Sequence, residues 1–318
     1  MVFFCAAMML LSVTPAPAQT RPIHLNKVIA KLEQGKTITG IWGLSQNMAT
    51  ARSIVEYNGF PNAGESMTKP MIDFVMICME HYPYDIVDLR GFIQGMVSRR
   101  ETLAKGNLQP NAPVFVRIPS EGADPVHPMI KQVLDIGAYG VVIPHVRTPE
   151  EALKVVKSCR YARPINAANR EPAGIRGFSP AICSYIWGLS LDEYYNRADV
   201  WPLNPNGDIL VIIMIEDTEG VKNIDRILKV PGIGAVFFGP SDYTVSVGRW
   251  GDQSFDVNEA LNRVKKACDD AGVPFVGFAD VTDIDVKAKE KNRLWIVGSD
   301  IDKSGMADRV IRRLRGEK

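Results

Sequence analysis

Two acidic residues in this 318-residue sequence are spaced as if they close neighbouring strands of one sheet. Glu216 and Asp242 each follow a short apolar segment and are separated by about one strand–helix–strand unit. Two carboxylates held close together repel each other unless a proton or a cation lies between them. Their oxygens suit Mg²⁺ or Mn²⁺, with Co²⁺ as a further candidate, and water and substrate would complete the coordination. The alternative is that both residues cap helices, for which Asp242 is well placed.

A histidine and an arginine follow other apolar segments. His81 is a candidate general base because histidine exchanges protons near neutral pH, and the adjacent Glu80 could orient it or reach a metal through water. The alternative for His81 is a structural role, which is also our interpretation of His127 and His145. Arg117 ends an apolar segment, where a guanidinium is costly to bury unless it meets an anion. That anion is either a protein carboxylate or the carboxylate or enolate of a substrate.

A tight turn is predicted at Gly239, Pro240 and Ser241, directly before Asp242. Successive backbone amides in such a turn can hold a carboxylate. The turn is therefore a candidate substrate-binding element.

These residues need a scaffold that brings strand ends together. Eight segments rich in β-branched and aromatic residues alternate with segments of helical spacing. The predicted strands are 38–42, 74–78, 114–118, 140–144, 209–215, 235–238, 274–278 and 294–297. Several are apolar at nearly every position, as parallel strands covered on both faces are. The pattern predicts an α/β fold, a (β/α)8 TIM barrel in one domain over 19–318, with a doubly wound open sheet as the alternative.

The balance of charged residues argues against a nucleic-acid-binding protein. The chain has 37 basic and 36 acidic residues, which leaves no basic surplus for a nucleic-acid backbone. Two long connections, 57–71 and 160–205, are expected to be either functional or disordered, as loops of this length in compact domains usually are. Five scattered cysteines do not form a disulfide framework or a zinc motif.

The N-terminus resembles an export signal. An apolar run over 2–13, too short to span a bilayer, is followed by Ala16-Pro17-Ala18, which fits a signal-peptidase site. We predict a signal peptide over 1–18 and an exported or periplasmic protein that does not remain in the membrane after cleavage. The alternative is a cytoplasmic protein whose start codon lies too far upstream.

Seven segments together resemble the HpcH/HpaI aldolase and citrate-lyase-β-like family. They are Gly-Ile-Trp at 40–42, Glu-His at 80–81, Val-Arg at 116–117, Val-Leu-Asp-Ile-Gly at 133–137, Pro-Ala-Gly-Ile-Arg-Gly at 172–177, Ile-Glu-Asp-Thr at 215–218 and Phe-Gly-Pro-Ser-Asp at 238–242. The resemblance covers the chain from about residue 30 and implies a (β/α)8 barrel, commonly hexameric. Family members cleave or form carbon–carbon bonds in 2-oxo acids with a divalent metal.

The resemblance also implies roles for individual residues. Glu216 and Asp242 would bind the metal, and Arg117 would steady the enolate oxygen. His81, paired with Asp135, would move the proton of the substrate hydroxyl. Trp42 would line the pocket. The amides around Ser241 and Asp242 would hold the pyruvate carboxylate.

Two positions depart from the family pattern. Cys78 stands where the family usually has an aspartate, and Met214 where it often has a glutamine. Both changes make the site less polar. We therefore keep three hypotheses: an aldolase acting on 4-hydroxy-2-oxo acids, a lyase on the same barrel acting on an aromatic or acyl-CoA substrate, and a binding protein without catalysis.

Overall fold

Eight parallel strands close into a barrel in the computed structural model, which describes residues 23–43, 45–58, 72–299 and 306–317. The strands are β1 Ile38–Gly43, β2 Phe74–Cys78, β3 Val114–Arg117, β4 Gly140–Ile143, β5 Val200–Trp201, β6 Ile209–Ile215, β7 Ala235–Phe238, β8 Phe275–Phe278 and β9 Leu294–Ser299. Around the barrel the order is β1, β2, β3, β4, β6, β7, β8 and β9. Pairing of β4 with β6 and of β9 with β1 closes the ring, which confirms the predicted barrel and excludes the open sheet.

All eight predicted strands are present, with small shifts at their ends. The two-residue strand β5 was not predicted and pairs with β6 outside the ring. Every residue of β6 is buried, as expected for a strand covered by helices outside and side chains inside. The predicted signal peptide and the connection over 59–71 lie outside the described residues.

Helices surround the barrel and connect its strands. They are α1 Lys27–Glu33, α2 Met48–Tyr57, α3 Ile86–Gly95, α4 Arg99–Lys105, α5 His127–Asp135, α6 Pro149–Cys159, α7 Ala181–Trp187, α8 Leu191–Arg197, α9 Thr218–Ile227, α10 Pro240–Ser246, α11 Asn258–Ala271, α12 Ile284–Lys287 and α13 Met306–Leu314. Helix α6 begins with the capping box of Thr148 and Glu151. Among the described residues, no helix combines the length and apolar character needed to cross a bilayer.

The connection over 160–205 is an ordered part of the scaffold. It contains α7, α8 and β5, and Arg160 and Asp199, both fully buried, form an ion pair of 2.6 Å inside it. Its length therefore reflects added secondary structure around the barrel.

Charged residues cover the amino end of the barrel. The Asp73 carboxylate directly precedes β2, is fully buried, and lies 2.6–2.8 Å from the side-chain nitrogens of Lys27, Lys31 and Arg315. Burial opposes its ionisation, but these cations, with Lys27 foremost, hold the pKa of Asp73 below its ordinary value. The amino end is thus occupied by a structural ion cluster, which leaves the carboxyl end for ligands.

Candidate active site

Arg117 lies in the interior of the barrel at the carboxyl end of β3. Its Nη1 is 2.9 Å from Glu80 Oε2, and its Nη2 donates to Cys78 Sγ at 3.0 Å. Its guanidinium carbon lies 4.5 Å from the centroid of the Trp42 ring. Arg117 Nε is buried and has no hydrogen-bond partner among the described residues. The predicted protein carboxylate is therefore Glu80, and the Nε–H of Arg117 remains available for a ligand.

Glu80 lies between Arg117 and His81. The same oxygen that contacts Arg117 is 3.9 Å from His81 Nε2. The His81 side chain is 56% exposed, so it can exchange protons with solvent or substrate. At this distance Glu80 Oε2 does not hydrogen-bond to His81, and the orienting role of Glu80 stays a prediction.

Glu216 is buried directly after β6 and is only partly satisfied. Its Oε1 accepts a hydrogen bond from the backbone amide of His145 at 3.0 Å. Its Oε2 has no hydrogen-bond partner in the described part of the chain. Burial raises the pKa of Glu216 to about 8; the charges of Glu80 and Asp242 raise it too, whereas the His145 amide and Arg117 oppose the rise. A buried carboxyl in this setting either keeps a proton or binds a cation.

Gly239 makes room for the unpaired oxygen of Glu216. Because Ile215 pairs with Phe238 in the register of β6 and β7, the residues that follow, Glu216 and Gly239, are neighbours. A Cβ atom at position 239 would overlap Glu216 Oε2. The need for glycine here is therefore steric.

The helix-cap alternative does not hold for either acidic residue. Asp217 is the N-cap of α9, and its Oδ1 accepts from the Gly220 amide, so Glu216 is not the cap. The N-cap of α10 is Gly239, and Asp242 is a half-buried residue of the first turn. Neither carboxylate is thus needed as the N-cap of a helix.

The donor set at this place fits a hard divalent cation. Glu216 supplies a buried oxygen without a partner, and Asp242 is near enough for its charge to raise the pKa of Glu216. No three His, Cys, Asp or Glu side chains within the described ranges are grouped closely enough to enclose an ion by themselves. A cation held by two carboxylates would take its other ligands from water and substrate, as Mg²⁺ commonly does.

We expect the metal-free protein to lose stability, relative to the Glu216→Gln variant, as the pH rises from about 4.5 to about 8. The unfolded chain releases the Glu216 proton near its ordinary pKa of 4.5, whereas the folded chain keeps it up to about pH 8. Over this interval the folded state binds more protons, so its free energy of unfolding falls with rising pH and then levels off. Denaturant titrations of both proteins in EDTA measure this, and a pH-independent difference between them would contradict it.

Substituting Gly239 by alanine should disturb Glu216 directly. The added Cβ displaces Glu216 Oε2, so we expect the Kd for Mn²⁺ to rise at least about tenfold, as when groups that orient metal ligands are changed. Overpacking should lower the free energy of unfolding by about 1–3 kcal/mol. Calorimetric titration with Mn²⁺ and thermal unfolding measure both effects.

Gly91→Ala is the matched control for Gly239→Ala. A Cβ there meets no atom within 4 Å, and Gly91 lies inside α3, where alanine is the better helix former. This variant should bind Mn²⁺ like the wild type. Unchanged Mn²⁺ affinity in Gly239→Ala would contradict the prediction that a side chain at position 239 disturbs metal binding by Glu216.

Asp135 does not join His81 within one chain. It is the last residue of α5, which runs toward the amino end of β4, whereas His81 follows the carboxyl end of β2. Asp135 Oδ1 accepts hydrogen bonds from Arg176 Nη2 and Nε at 2.7 and 3.1 Å, and its Oδ2 lies 3.3 Å from Lys131 Nζ. The expected His81–Asp135 pair is replaced by the Glu80 contact, and Asp135 holds the buried Arg176 in place.

Trp42, for which the resemblance implies a role in lining the pocket, packs against Arg117 inside the barrel. Ser241 and Pro240 are exposed at the start of α10. The Gly239 amide donates to the Ile215 carbonyl at 3.2 Å, and proline has no amide hydrogen. An anion at this turn could therefore meet only the amides that follow Pro240.

His145 makes a contact with the candidate site that the sequence did not indicate. It follows β4 and has a φ of +49°, an uncommon backbone conformation for a side chain of this size. In that conformation its amide points at Glu216 Oε1. A backbone contact of this kind leaves no signal in residue types or spacing.

Comparisons with known proteins identify the family of this chain. A family model described as HpcH/HpaI aldolase/citrate lyase matches residues 62–304. The hydroxypyruvate/pyruvate aldolase of Paraburkholderia phytofirmans is 29% identical over 269 residues, 84% of this chain and 87% of that protein. The 5-keto-4-deoxy-D-glucarate aldolase of Shigella boydii is 30% identical over 257 residues, which are 80% of this chain and 82% of that protein. A solved HpcH/HpaI aldolase/citrate lyase family structure from Burkholderia cenocepacia has a TM-score of 0.65 at 26% identity and covers 89% of this chain and 96% of its own.

Proposed function

This chain belongs to the HpcH/HpaI aldolase/citrate lyase family, and on that premise we propose that it cleaves a 4-hydroxy-2-oxo acid, or a related hydroxy or oxo acid, to pyruvate and an aldehyde with a divalent cation. The aldolases among its relatives make it a carbon–carbon lyase. One observation carries the finer proposal: the partnerless oxygen of Glu216 and the guanidinium of Arg117 lie at the same end of the barrel. Negative charge that develops on a 2-oxo group there would meet preorganised positive charge.

Arg117 and the amides of α10 bind the substrate in this proposal. The free Nε–H of Arg117 meets the 2-oxo oxygen, whose negative charge grows as the C3–C4 bond breaks. The amides of Ser241 and Asp242 hold the carboxylate. Glu216 and Asp242 would hold a Mg²⁺ or Mn²⁺ ion, which would supply Lewis-acid stabilisation of the developing negative charge.

His81 moves the proton. It removes the hydrogen of the C4 hydroxyl as the C3–C4 bond breaks, and C3 of the resulting enolate takes up a proton to give pyruvate. The carboxylate of Glu80 lies 3.9 Å from His81 Nε2, on the side of the ring that faces Arg117. Trp42 covers the face of Arg117 and excludes water from the enolate.

A panel of 4-hydroxy-2-oxo acids tests this function. We expect pyruvate release, followed with lactate dehydrogenase, to stop after EDTA treatment and to return with Mg²⁺ or Mn²⁺. Release that is indifferent to EDTA would contradict the metal requirement. Tight binding of small acids without turnover under any metal condition would instead indicate a binding protein.

The oligomeric state and the cellular location of the protein are further proposals. We propose a homo-oligomer, a hexamer on family grounds, that is exported if 1–18 is removed. Light scattering measures the mass, and a single-chain mass would contradict the assembly. A mature native protein that retains Met1 would contradict export.

A further inference from the structure

An aromatic surface extends from Arg117 toward the solvent at the carboxyl end of the barrel. Trp42, whose ring faces Arg117, contacts Phe237 edge-on with centroids 6.0 Å apart and lies 6.3 Å from Phe278. Phe237 and Phe278 are themselves 5.2 Å apart. We call these three residues the aromatic wall.

Strand order places the aromatic wall inside the barrel. Trp42 is on β1 and Phe237 is on β7, with β8 and β9 between them. Rings on strands so separated can meet only across the interior. Phe278 ends β8 and is 47% exposed, so the wall has an open end at the mouth.

Within the described residues, few strong hydrogen-bonding groups contact the Arg117 guanidinium beside the aromatic wall. Besides Glu80, it contacts the Trp42 ring, Cys78 Sγ at 3.0 Å and Met214 Sδ at 3.9 Å. Sulfur atoms are weak hydrogen-bond acceptors. A polyhydroxylated fragment would lose its water here and gain few hydrogen bonds, whereas an apolar fragment would gain contact.

We propose that the aldehyde fragment handled by this site carries an aromatic or similarly bulky apolar group that packs on the aromatic wall, with Phe278 as a specificity-determining residue. This inference rests on the proposed function. In the synthetic direction, C3 of pyruvate loses a proton and bonds to the aldehyde carbon. The former aldehyde oxygen gains a proton, so no further reactant is needed.

Competition between two aldehydes tests the proposal. With pyruvate and Mn²⁺, we expect kcat/KM for benzaldehyde to exceed that for glycolaldehyde at least about tenfold. Phe278→Ala should lower this ratio about tenfold through the KM of benzaldehyde, because one pocket contact discriminates by about that factor. Phe278→Leu should restore part of the preference, and Leu103→Ala, at an 83% exposed site on α4, should leave it unchanged.

Exchange of the pyruvate methyl hydrogens with deuterium separates the two claims, since it requires no aldehyde. This exchange should still occur in Phe278→Ala, and its rate in Leu103→Ala should equal that of the wild type. Two results would overturn the inference and leave the proposed function standing. One is deuterium exchange together with equal kcat/KM values for the two aldehydes. The other is a benzaldehyde-to-glycolaldehyde ratio of kcat/KM that Phe278→Ala does not change. Absence of both exchange and condensation would overturn both.

Discussion

Glu216→Gln is expected to reduce aldol cleavage at least about a thousandfold, the largest effect of any single substitution in this chain. Glutamine keeps the acceptor for the His145 amide but replaces Glu216 Oε2, the buried oxygen without a partner, with a neutral donor. The charge that would hold the cation is lost, and with it the stabilisation of the enolate oxygen. Steady-state pyruvate release measures the loss.

The fold of this variant should survive. Because the pKa of Glu216 is about 8 without metal, glutamine resembles the protonated carboxyl that predominates at neutral pH. The thermal midpoint in EDTA should therefore not fall. Glu219→Gln, an exposed change in the first turn of α9, is the matched control and should remain active. An active Glu216→Gln enzyme would remove Glu216 from the mechanism.

Arg117→Lys should lower kcat about a hundredfold or more although the positive charge is kept. Lysine cannot reach Glu80 and Cys78 together while also presenting a donor to the substrate, as the planar guanidinium does. The lost donor acts mainly in the transition state, so kcat should fall more than KM rises. Initial rates over a range of substrate concentrations give both constants.

The matched control for Arg117→Lys is Arg90→Lys, an exposed position on α3. It should leave both kinetic constants unchanged. If Arg117→Lys raised KM and left kcat unchanged, Arg117 would serve substrate binding alone and the assigned role at the enolate oxygen would be refuted.

The barrel and its reactive edge were accessible from the sequence because both depend on local patterns. A run such as 209–215 is apolar at every position only when a strand is covered on both faces. Once the strands are assigned, Arg117 and Glu216 must lie at their carboxyl ends. The same logic predicted that Glu80 would lie at this end, whereas the pocket role of Trp42 came from the family resemblance.

The contacts that tune these residues were not accessible. The His145 amide reaches Glu216 through a backbone angle, and Gly239 is required by a distance across two strands. Asp135 matches a family motif, yet its helix ends at the opposite edge of the barrel from His81. The order of motifs along the sequence does not show at which end of the barrel a residue such as Asp135 lies.

Anomalous X-ray scattering from a crystal grown with Mn²⁺ and oxalate, a planar dianion shaped like the pyruvate enolate, tests the shared-cation site most directly. The account predicts one manganese peak about 2.1–2.3 Å from a carboxylate oxygen of Glu216 and one of Asp242, with oxalate completing the coordination beside Arg117. A peak bound elsewhere, or oxalate seated beside Arg117 with no manganese between it and the two carboxylates, would contradict it.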